Sequence, residues 1–299
     1  MPQLLLFLTM AAAFGLNNRV SAQDSGTNDK PASDKDNSKE KFIEQLRTHY
    51  HKHAAAFVFA GNQDGAKPFR LEPKPVLTWT STGDALWSGD VFVWTTEGRP
   101  AVIGCIGSWP IDEQTRGVFE ELHSLSPEPL AESDLDQSLK WRSDTPGVEM
   151  KDVPDAPVPA AEVRKRLSQM RRLTDRFKAH MSINNGTEEL RLLTQPIYRY
   201  SGDSKTAIDG AIFAYVTTTG TDPEVLLLLE CHKDGDKLKW VYAPVRFTHR
   251  ELWLKLDETE VWRVPNHRTP YTNPMITDPY MTRPTASVSL DSIKGSDTN

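Results

Sequence analysis

Apolar residues recur at helical spacing in two stretches of the chain. The first stretch covers residues 40–57, and the second covers residues 160–181, with Pro159 placed where a helix can begin. The stripe positions are Phe42, Ile43, Leu46, Tyr50 and Ala54 in the first stretch and Val163, Leu167, Met170, Leu173, Phe177 and Met181 in the second. Each stripe predicts an amphipathic helix that buries one face.

After each predicted helix the pattern changes to one that is typical of β-strands. Strands are predicted at 75–81, 90–96, 100–109 and 118–125 in the first half and at 196–201, 210–217, 225–232 and 239–247 in the second. Each half ends on a short strand, at Trp141 or at Trp262, and Glu97-Gly98 predicts a hairpin turn. Residues 91–94 and 225–229 are apolar at consecutive positions, so these strands need cover on both faces.

The two halves align at one offset of 121 residues. The offset pairs Trp79 with Tyr200, Gly89 with Gly210, Phe92 with Phe213, Trp94 with Tyr215, and Trp141 with Trp262. This shared order of aromatic and turn residues predicts a tandem duplication. We therefore expect an α+β fold in which two copies form a pseudo-two-fold pair. Each copy would have one helix and an antiparallel meander of about five strands, similar in general shape to cystatin or nuclear transport factor 2.

Composition divides the chain into segments. Residues 1–22 have an apolar core too short to span a bilayer, followed by Val20-Ser21-Ala22, which is typical of a signal peptide cleaved before Gln23. The predicted segments are a signal peptide (1–22), a disordered tether (23–40), a first repeat (41–143), a Pro-rich linker (144–160), a second repeat (161–264) and an extended or disordered tail (265–299). The mature protein is therefore expected to be periplasmic or secreted, with no transmembrane segment.

Charge and cysteine content narrow the classes of partner. The chain has 35 Lys and Arg against 41 Asp and Glu, a net charge of -6. An acidic chain with no Lys/Arg run predicts no binding of nucleic acid or of anionic lipid. Cys105 and Cys231 are too few for a disulfide scaffold or a four-cysteine zinc site, and reduced buried thiols and a disulfide between the halves both remain open.

Three histidines form the densest cluster of potential metal ligands. His49 and His53 would share one face of the first helix, with His51 between them, and this spacing is used by helical zinc ligands. The sequence offers no clear third ligand, although Glu44 or Asp64 could approach. We treat His49 and His53 as weak metal candidates and expect solvated helix histidines and no cofactor.

Four residues of the first half form the candidate ligand site. His123 and Glu121 lie at the end of a predicted strand, and Trp109 and Arg116 lie close to them in sequence. They differ from the residues aligned with them in the second half, so the common fold does not explain them. Pockets favour junctions between packed units, so we expect His123 to line a concave site there.

Several strings resemble a family of exported bacterial proteins to which no activity is attached. They are GDVFVWTTEGRP at 89–100, His123-Ser124-Leu125, LRLLTQPIYRY at 190–200 and GTDPEVLLLLE at 220–230. This resemblance covers most of residues 71–264 and consists of turns and strands. It implies export and a shared fold, and it implies no cofactor or catalytic residue.

The sequence contains no catalytic motif, so we predict an exported, non-enzymatic binding or interaction protein. The partner would be an unidentified small molecule or a component of the cell envelope. The alternative is a hydrolase or a metal-dependent enzyme that uses His123 or the cluster of His49, His51 and His53.

Overall fold

The computed structural model describes residues 33–81, 87–112, 114–184, 186–201, 207–269, 273–285 and 287–289. The predicted signal peptide and residues 23–32 of the predicted tether lie outside these ranges, as do residues 290–299 of the predicted tail. The described chain contains two helices, α1 (Ser33–Ala56) and α2 (Val163–Thr174). Within these ranges, neither helix combines the length and the apolar composition needed to cross a membrane.

Strands make up most of the regular structure. Those before α2 are β1 (Arg70–Leu71), β2 (Leu77–Thr80), β3 (Ser88–Thr96), β4 (Arg99–Pro110), β5 (Thr115–Ser124), β6 (Ser133–Asp134), β7 (Lys140–Trp141) and β8 (Lys151–Asp152). Those after α2 are β9 (Phe177–Ile183), β10 (Gly186–Glu189), β11 (Arg191–Leu192), β12 (Tyr198–Tyr200), β13 (Ala207–Val216), β14 (Pro223–Asp234), β15 (Lys237–Arg246), β16 (Leu252–Leu256), β17 (Thr259–Val264), β18 (Met275–Ile276), β19 (Tyr280–Pro284) and β20 (Val288–Ser289).

Two large sheets have the same order of central strands. The first sheet runs β1-β3-β4-β5-β19, with β2 also paired to β3 and β20 to β5. The second sheet runs β11-β13-β14-β15-β8, with β12 also paired to β13. The hairpin between β3 and β4 turns at Glu97 and Gly98, which both have positive φ (49° and 76°), as a two-residue turn of matching twist requires.

Two smaller sheets complete the fold. One runs β10-β9-β16-β17 and is built entirely from the second half of the chain. The other runs β18-β7-β6, where β18 pairs with β7 in parallel.

Three apolar cores hold these layers together. An inner core lies between the two large sheets and takes residues from both, such as Val91 and Ile103 from the first and Leu226 and Leu228 from the second. An outer core joins α1 to the other face of the first sheet, and another joins α2 and the four-stranded sheet to the second. Both large sheets are thus covered on both faces, as their consecutive apolar positions require.

The predicted α+β fold of two helix-plus-meander copies is wrong. Strands make up 49% of the structure and helices 12%, and the several sheets include a half-barrel. Trp141 lies in β7, between β6 and the parallel strand β18, whereas Trp262 lies in β17, an antiparallel edge strand paired with β16, so the two tryptophans do not occupy equivalent places. A constant offset within the sequence could not reveal the pairing of β9 with β16 or of β19 with β5, because the two strands of each pair are distant in the chain.

The predicted second helix is also too long. It ends at Thr174, and the residues Phe177, Ala179 and Met181 are buried on one side of strand β9. Phe177 and Met181 are four residues apart, a spacing that fits one face of a strand as well as one face of a helix. Segments outside the predicted repeats also form regular secondary structure. Helix α1 begins at Ser33, within the predicted tether, and the predicted tail contains β18, β19 and β20.

Candidate functional site

An array of aromatic rings covers one end of the inner face of the first sheet. Trp79, Gly89, Gly107 and Phe119 are direct neighbours across β2, β3, β4 and β5. A Cβ atom on Gly89 would lie 2.8 Å from the Trp79 ring, and one on Gly107 would lie 2.4 Å from the Phe119 ring. Because these glycines have no side chain, both rings lie flat against the backbone of the neighbouring strand.

A second row of rings lies next to the first. Trp109 pairs with Gly117, and a Cβ atom there would lie 2.3 Å from the indole. The rings of Trp87 and Trp109 stack with centroids 5.6 Å apart, and Trp109 stacks with Phe119 at 6.3 Å. We call Trp79, Trp87, Trp109 and Phe119 the aromatic cluster. Trp79 is buried, but Trp87 keeps 40% of its surface exposed.

The same face of β5 continues with Glu121 and His123. Alternate residues of a strand share a face about 7 Å apart, so Gly117, Phe119, Glu121 and His123 form one line. Glu121 and His123 are both buried, at the edge where Tyr280 of β19 lies opposite His123. The Tyr280 hydroxyl donates a hydrogen bond to Oε1 of Glu121, and the Arg246 guanidinium of the second sheet lies 5.1 Å from the centre of the Tyr280 ring. We call Glu121, His123, Arg246 and Tyr280 the seam cluster.

Burial controls the ionisation of the seam cluster. It raises the pKa of Glu121 to about 8, and the nearby Glu224 carboxyl acts in the same direction against the Tyr280 hydrogen bond and the Arg246 charge. Burial also lowers the pKa of His123 to about 4, and the charges of Arg246 and His267 add to this effect. Both side chains are therefore mainly neutral at pH 7.

The hydrogen bond of His123 fixes its tautomer. Nδ1 lies 2.7 Å from the Ser124 carbonyl oxygen, which can only accept, so Nδ1 carries the proton and Nε2 is an acceptor. Among the described residues no donor reaches Nε2. A neutral imidazole with so low a pKa can accept a hydrogen bond from a ligand but is a weak general base near neutral pH.

Arg116 does not join the other predicted site residues. It lies on the opposite face of β5, buried beneath α1, where its Nε donates to Oγ of Ser108 at 3.1 Å. Ser108 also shares a hydrogen bond with the Tyr50 hydroxyl of α1. Of the four predicted site residues, the structure places Trp109, Glu121 and His123 on one face and Arg116 on the other.

The helix histidines do not converge on a common point. Nε2 of His53 lies 2.8 Å from Glu120, whose other oxygen accepts from Arg283 at 2.6 Å. The His49 and His53 rings meet edge to face with centroids 6.3 Å apart, and His51 lies against Phe92. In the ranges that the structure describes, no three His, Cys, Asp or Glu side chains are grouped as metal ligands. His53 and Glu120 instead form part of the contact between α1 and the first sheet.

The second sheet has a charged cluster on its inner face. Glu230 of β14 is fully buried and accepts hydrogen bonds from Nε of Arg99 at 2.9 Å, from the Tyr200 hydroxyl and from Nε2 of His232 at 2.6 Å. Burial alone would raise the pKa of Glu230, but the His232 hydrogen bond, the Arg99 charge and the Tyr200 hydrogen bond together lower it. Because Arg99 begins β4, this cluster links the two large sheets.

Four residues of these clusters carry no sequence pattern that marks them as functional, because each is an isolated polar residue within or beside an apolar strand: Arg99, Glu230, Arg246 and Tyr280. The sequence does contain glycines and aromatic residues between positions 79 and 119 that form the aromatic cluster. They can be recognised as neighbours only once the pairing register of β2, β3, β4 and β5 is known. The two cysteines face different cores: Cys105 lies in the inner core, Cys231 lies in the core beneath α2, and both thiols are free.

Comparison with known proteins adds no relative to these observations. The chain matches no protein-family profile, no curated protein and no solved structure. The resemblance to a family of exported bacterial proteins therefore stays a prediction.

Proposed function

We propose that this chain is an exported, non-enzymatic binding protein that holds a neutral saccharide on the aromatic cluster. The observation that carries the proposal is the stacking of Trp87 on Trp109, whose ring packs over Gly117, with 40% of the Trp87 surface left exposed. Aromatic residues in the apolar cores are much less exposed: Trp94 and Trp141 each keep 1% of their surface accessible to solvent. An exposed indole stacked on a half-buried one, as Trp87 is on Trp109, is a typical contact surface for a ligand.

Two features favour a saccharide among ligands with apolar faces. The C–H groups on one side of a sugar ring carry slight positive charge and fit the negative face of an indole. In addition, Nε1 of Trp87 and Nε1 of Trp109 have no acceptor among the described residues, so each N–H can donate to a sugar hydroxyl. A hydrocarbon ligand would leave both donors unpaired, which costs free energy.

Binding is favoured over hydrolysis by the chemistry of the seam cluster. A general base works best with a pKa near the pH of the reaction, and the pKa of His123 is about 4. The pKa of Glu121, about 8, would suit a general acid, but its carboxyl is buried and accepts a hydrogen bond from the Tyr280 hydroxyl. Glu121 and His123 are better suited to extend the ligand contact along β5 by hydrogen bonds, and we propose this supporting role for them. The His123→Ala variant would then weaken binding, and because the ring is buried it would also lower stability.

Calorimetric titration with cellohexaose and chitohexaose tests the saccharide proposal. These neutral β-linked chains present flat ring faces, and we expect a Kd below about 1 mM for at least one of them. The Trp87→Ala variant should weaken that binding by about tenfold or more, which corresponds to about 1.4 kcal/mol.

Trp262→Ala is the matched control, because it removes a partly buried indole from β17, outside the aromatic cluster. It should leave the affinity unchanged. Wild-type protein that binds neither sugar, or a Trp87→Ala variant that binds as well as wild type, would show that the saccharide proposal is wrong.

Export has its own test. N-terminal sequencing of protein recovered from the native host should begin at Gln23 or within a few residues of it. Recovery of the chain with Met1 intact from the cytoplasmic fraction would contradict export without bearing on ligand binding.

A further inference from the structure

Three carboxyl groups meet between the two large sheets. Glu121 lies on the inner face of β5, and Asp222 and Glu224 lie where β14 begins, on the face that continues with Leu226 and Leu228 of the inner core. We call Glu121, Asp222 and Glu224 the carboxyl cluster. The charge of Glu224 acts on Glu121, and the charges of both act on Asp222, so the three groups interact across the contact between the sheets.

The carboxyl cluster has no paired counter-charge. Glu121 is buried and the other two side chains are partly buried, and within the described ranges none of the three forms an ion pair. The Arg246 guanidinium, which faces Glu121, donates instead to the backbone carbonyls of Thr248, Arg250 and Pro265, at 3.2, 2.8 and 2.7 Å. An unpaired carboxylate is costly away from water, so the contact between the sheets disfavours ionisation of the cluster.

Neighbouring groups do not supply the missing charge. The titratable and charged groups around the cluster are Cys105 of β4, His123 of β5, Glu188 of β10, Arg246 of β15, Arg250 of the following loop and Tyr280 of β19. Burial raises the pKa of the Cys105 thiol and of the Tyr280 phenol, so both keep their protons at neutral pH. His123 is neutral well above its pKa of about 4, and the Glu188 charge acts against ionisation of Glu224.

The protons on the carboxyl cluster are therefore linked to the contact between the sheets. Burial raises the pKa of Glu224 to about 7, against the Thr248 hydrogen bond and the Arg250 charge, and burial likewise raises the pKa of Asp222. The pKa of Glu121 is about 8. In water these carboxyls lose their protons above about pH 4–5. Their contribution to the contact is therefore complete in acid and is lost as pH rises to about 8.

We propose that the carboxyl cluster makes the contact between the two large sheets sensitive to pH. With its protons in place the sheets stay together, and loss of these protons in mildly alkaline solution separates the sheets locally and exposes the inner face around Cys105. The effect of this opening on saccharide binding rests on the proposed function, whereas the opening itself is measured without a ligand.

Cys105 is a natural reporter of this opening. It lies directly opposite Glu121 in the pairing of β4 with β5, its thiol is free, and only 1% of its surface is exposed. The Trp79 Nε1 donates to its Sγ at 3.4 Å, so the same opening reaches one member of the aromatic cluster. Cys231 is equally buried but lies in the core beneath α2, away from the carboxyl cluster.

The test is alkylation of the folded mature chain with iodoacetamide from about pH 6 to about pH 8, with both cysteines quantified by mass spectrometry. Each thiol reacts as a thiolate once it is exposed, so the ratio of the two rates cancels the general effect of pH on thiol reactivity. Opening that releases one proton becomes about tenfold more favourable per pH unit. We therefore expect the ratio of Cys105 to Cys231 alkylation to rise about tenfold or more over this range. A constant ratio would overturn the proposal, because global unfolding exposes both thiols together.

Two variants assign the effect to the carboxyl cluster. Glu121→Gln/Glu224→Gln keeps the shape of the protonated groups, and its ratio should not change with pH. Glu224→Gln alone changes a partly exposed position and should remove part of the rise. The matched control is Asp234→Asn/Asp236→Asn, which removes two carboxyls from the exposed β14–β15 hairpin and should follow wild type. A wild-type rise in both glutamate variants, or loss of the rise in the control, would contradict the proposal.

Discussion

Two matching rows of residues lie on the facing surfaces of the large sheets. One row is apolar and aromatic, and the other contains a buried charged residue. The row in the first sheet is Trp79, Gly89, Gly107 and Phe119, and the row in the second is Tyr200, Gly210, Glu230 and Val241, each ordered by direct strand pairing. In both rows an aromatic ring lies over a glycine of the next strand. The two rows differ at their third residue. In the first row this residue is Gly107, which leaves space for the Phe119 ring, and in the second it is Glu230, whose side chain extends into the inner core.

This difference shows how one pattern of strand pairing can hold two kinds of surface. Glu230 draws together Arg99, Tyr200 and His232, so its end of the interface between the sheets is a closed polar cluster. Gly107 carries no such group, and the rings around it extend to an exposed edge at Trp87. We therefore expect the row that contains Glu230 to contribute mainly to the stability of the fold. We expect the row that contains Gly107, the aromatic row, to contact the ligand.

The largest effect on stability is expected from Glu230→Gln. The substitution leaves the partly buried Arg99 without its counter-charge, and breaking a buried ion pair typically costs about 3–5 kcal/mol. Chemical denaturation monitored by circular dichroism measures the change. The double variant Arg99→Met/Glu230→Gln should recover part of the loss, because it removes the unpaired charge. No recovery would mean that the hydrogen bonds of Tyr200 and His232, and not the ion pair, account for the effect.

A smaller loss is expected from Gly107→Ala. Its new Cβ atom would lie 2.4 Å from the Phe119 ring and 3.0 Å from the Ser88 carbonyl oxygen, so the ring must move. Overpacking of this kind typically costs about 1–3 kcal/mol. We expect saccharide binding to fall as well, since Phe119 supports Trp109. The matched control is Gly65→Ala, at a loop glycine of positive φ where the added Cβ atom would have no neighbour within 4 Å, and this variant should leave binding intact.

The two buried glutamates should also respond to pH in opposite ways. The raised pKa of Glu121 means that the folded chain keeps a proton which the unfolded chain loses above about 4.5, so its contribution to stability falls as pH rises from there to about 8. Glu121→Gln should therefore become progressively more stable than wild type as pH rises from about 4.5 to about 8, and the two should be nearly equal at pH 4. Equal stabilities at both pH values would contradict the shift.

Glu230 gives the reverse profile. Its lowered pKa contributes stability above the unfolded value, and that contribution is lost as pH falls through the folded pKa. The difference between wild type and Glu230→Gln should therefore shrink below about pH 4.5. A constant difference from pH 3 to pH 7 would contradict this assignment.

The smallest effect on stability is expected from Trp87→Ala, at or below about 0.5–1 kcal/mol, because much of this side chain is already in solvent. Its effect on binding should be large by comparison. Chemical denaturation of the variant measures the stability change. A loss above about 2 kcal/mol, which approaches the cost of truncating a buried aromatic residue, would show that Trp87 serves the core.

Local pattern was enough to predict the parts of this fold that depend on neighbouring residues. The stripe of Leu46, Tyr50 and Ala54 does face the core, and the hairpin at Glu97-Gly98 is present. The fold class was missed because β19 joins β5 from more than 150 residues away in the chain, as the 159-residue separation of Glu121 and Tyr280 illustrates. No periodicity encodes such a pairing.

The candidate site was predictable to a similar degree. Trp109, Glu121 and His123 share a face of the first sheet because strand alternation carries them there, and that much follows from sequence. Arg116 differs from Glu121 and His123 by an odd number of positions along β5 and so lies on the other face. The partners of the site, Arg246 and Tyr280, reach it through sheet packing and through a strand from the predicted tail, and neither relation leaves a local signal.

The most direct test of ligand binding on the aromatic row is an NMR titration of the indole N–H signals. The chain has eight tryptophans, and each gives one such signal. Addition of cellohexaose or chitohexaose should shift the signals of Trp87 and Trp109, assigned through their alanine variants, and leave those of Trp240 and Trp253 in the second half unchanged. Saturable shifts confined to tryptophans outside the aromatic cluster, or no shift at all, would contradict the account.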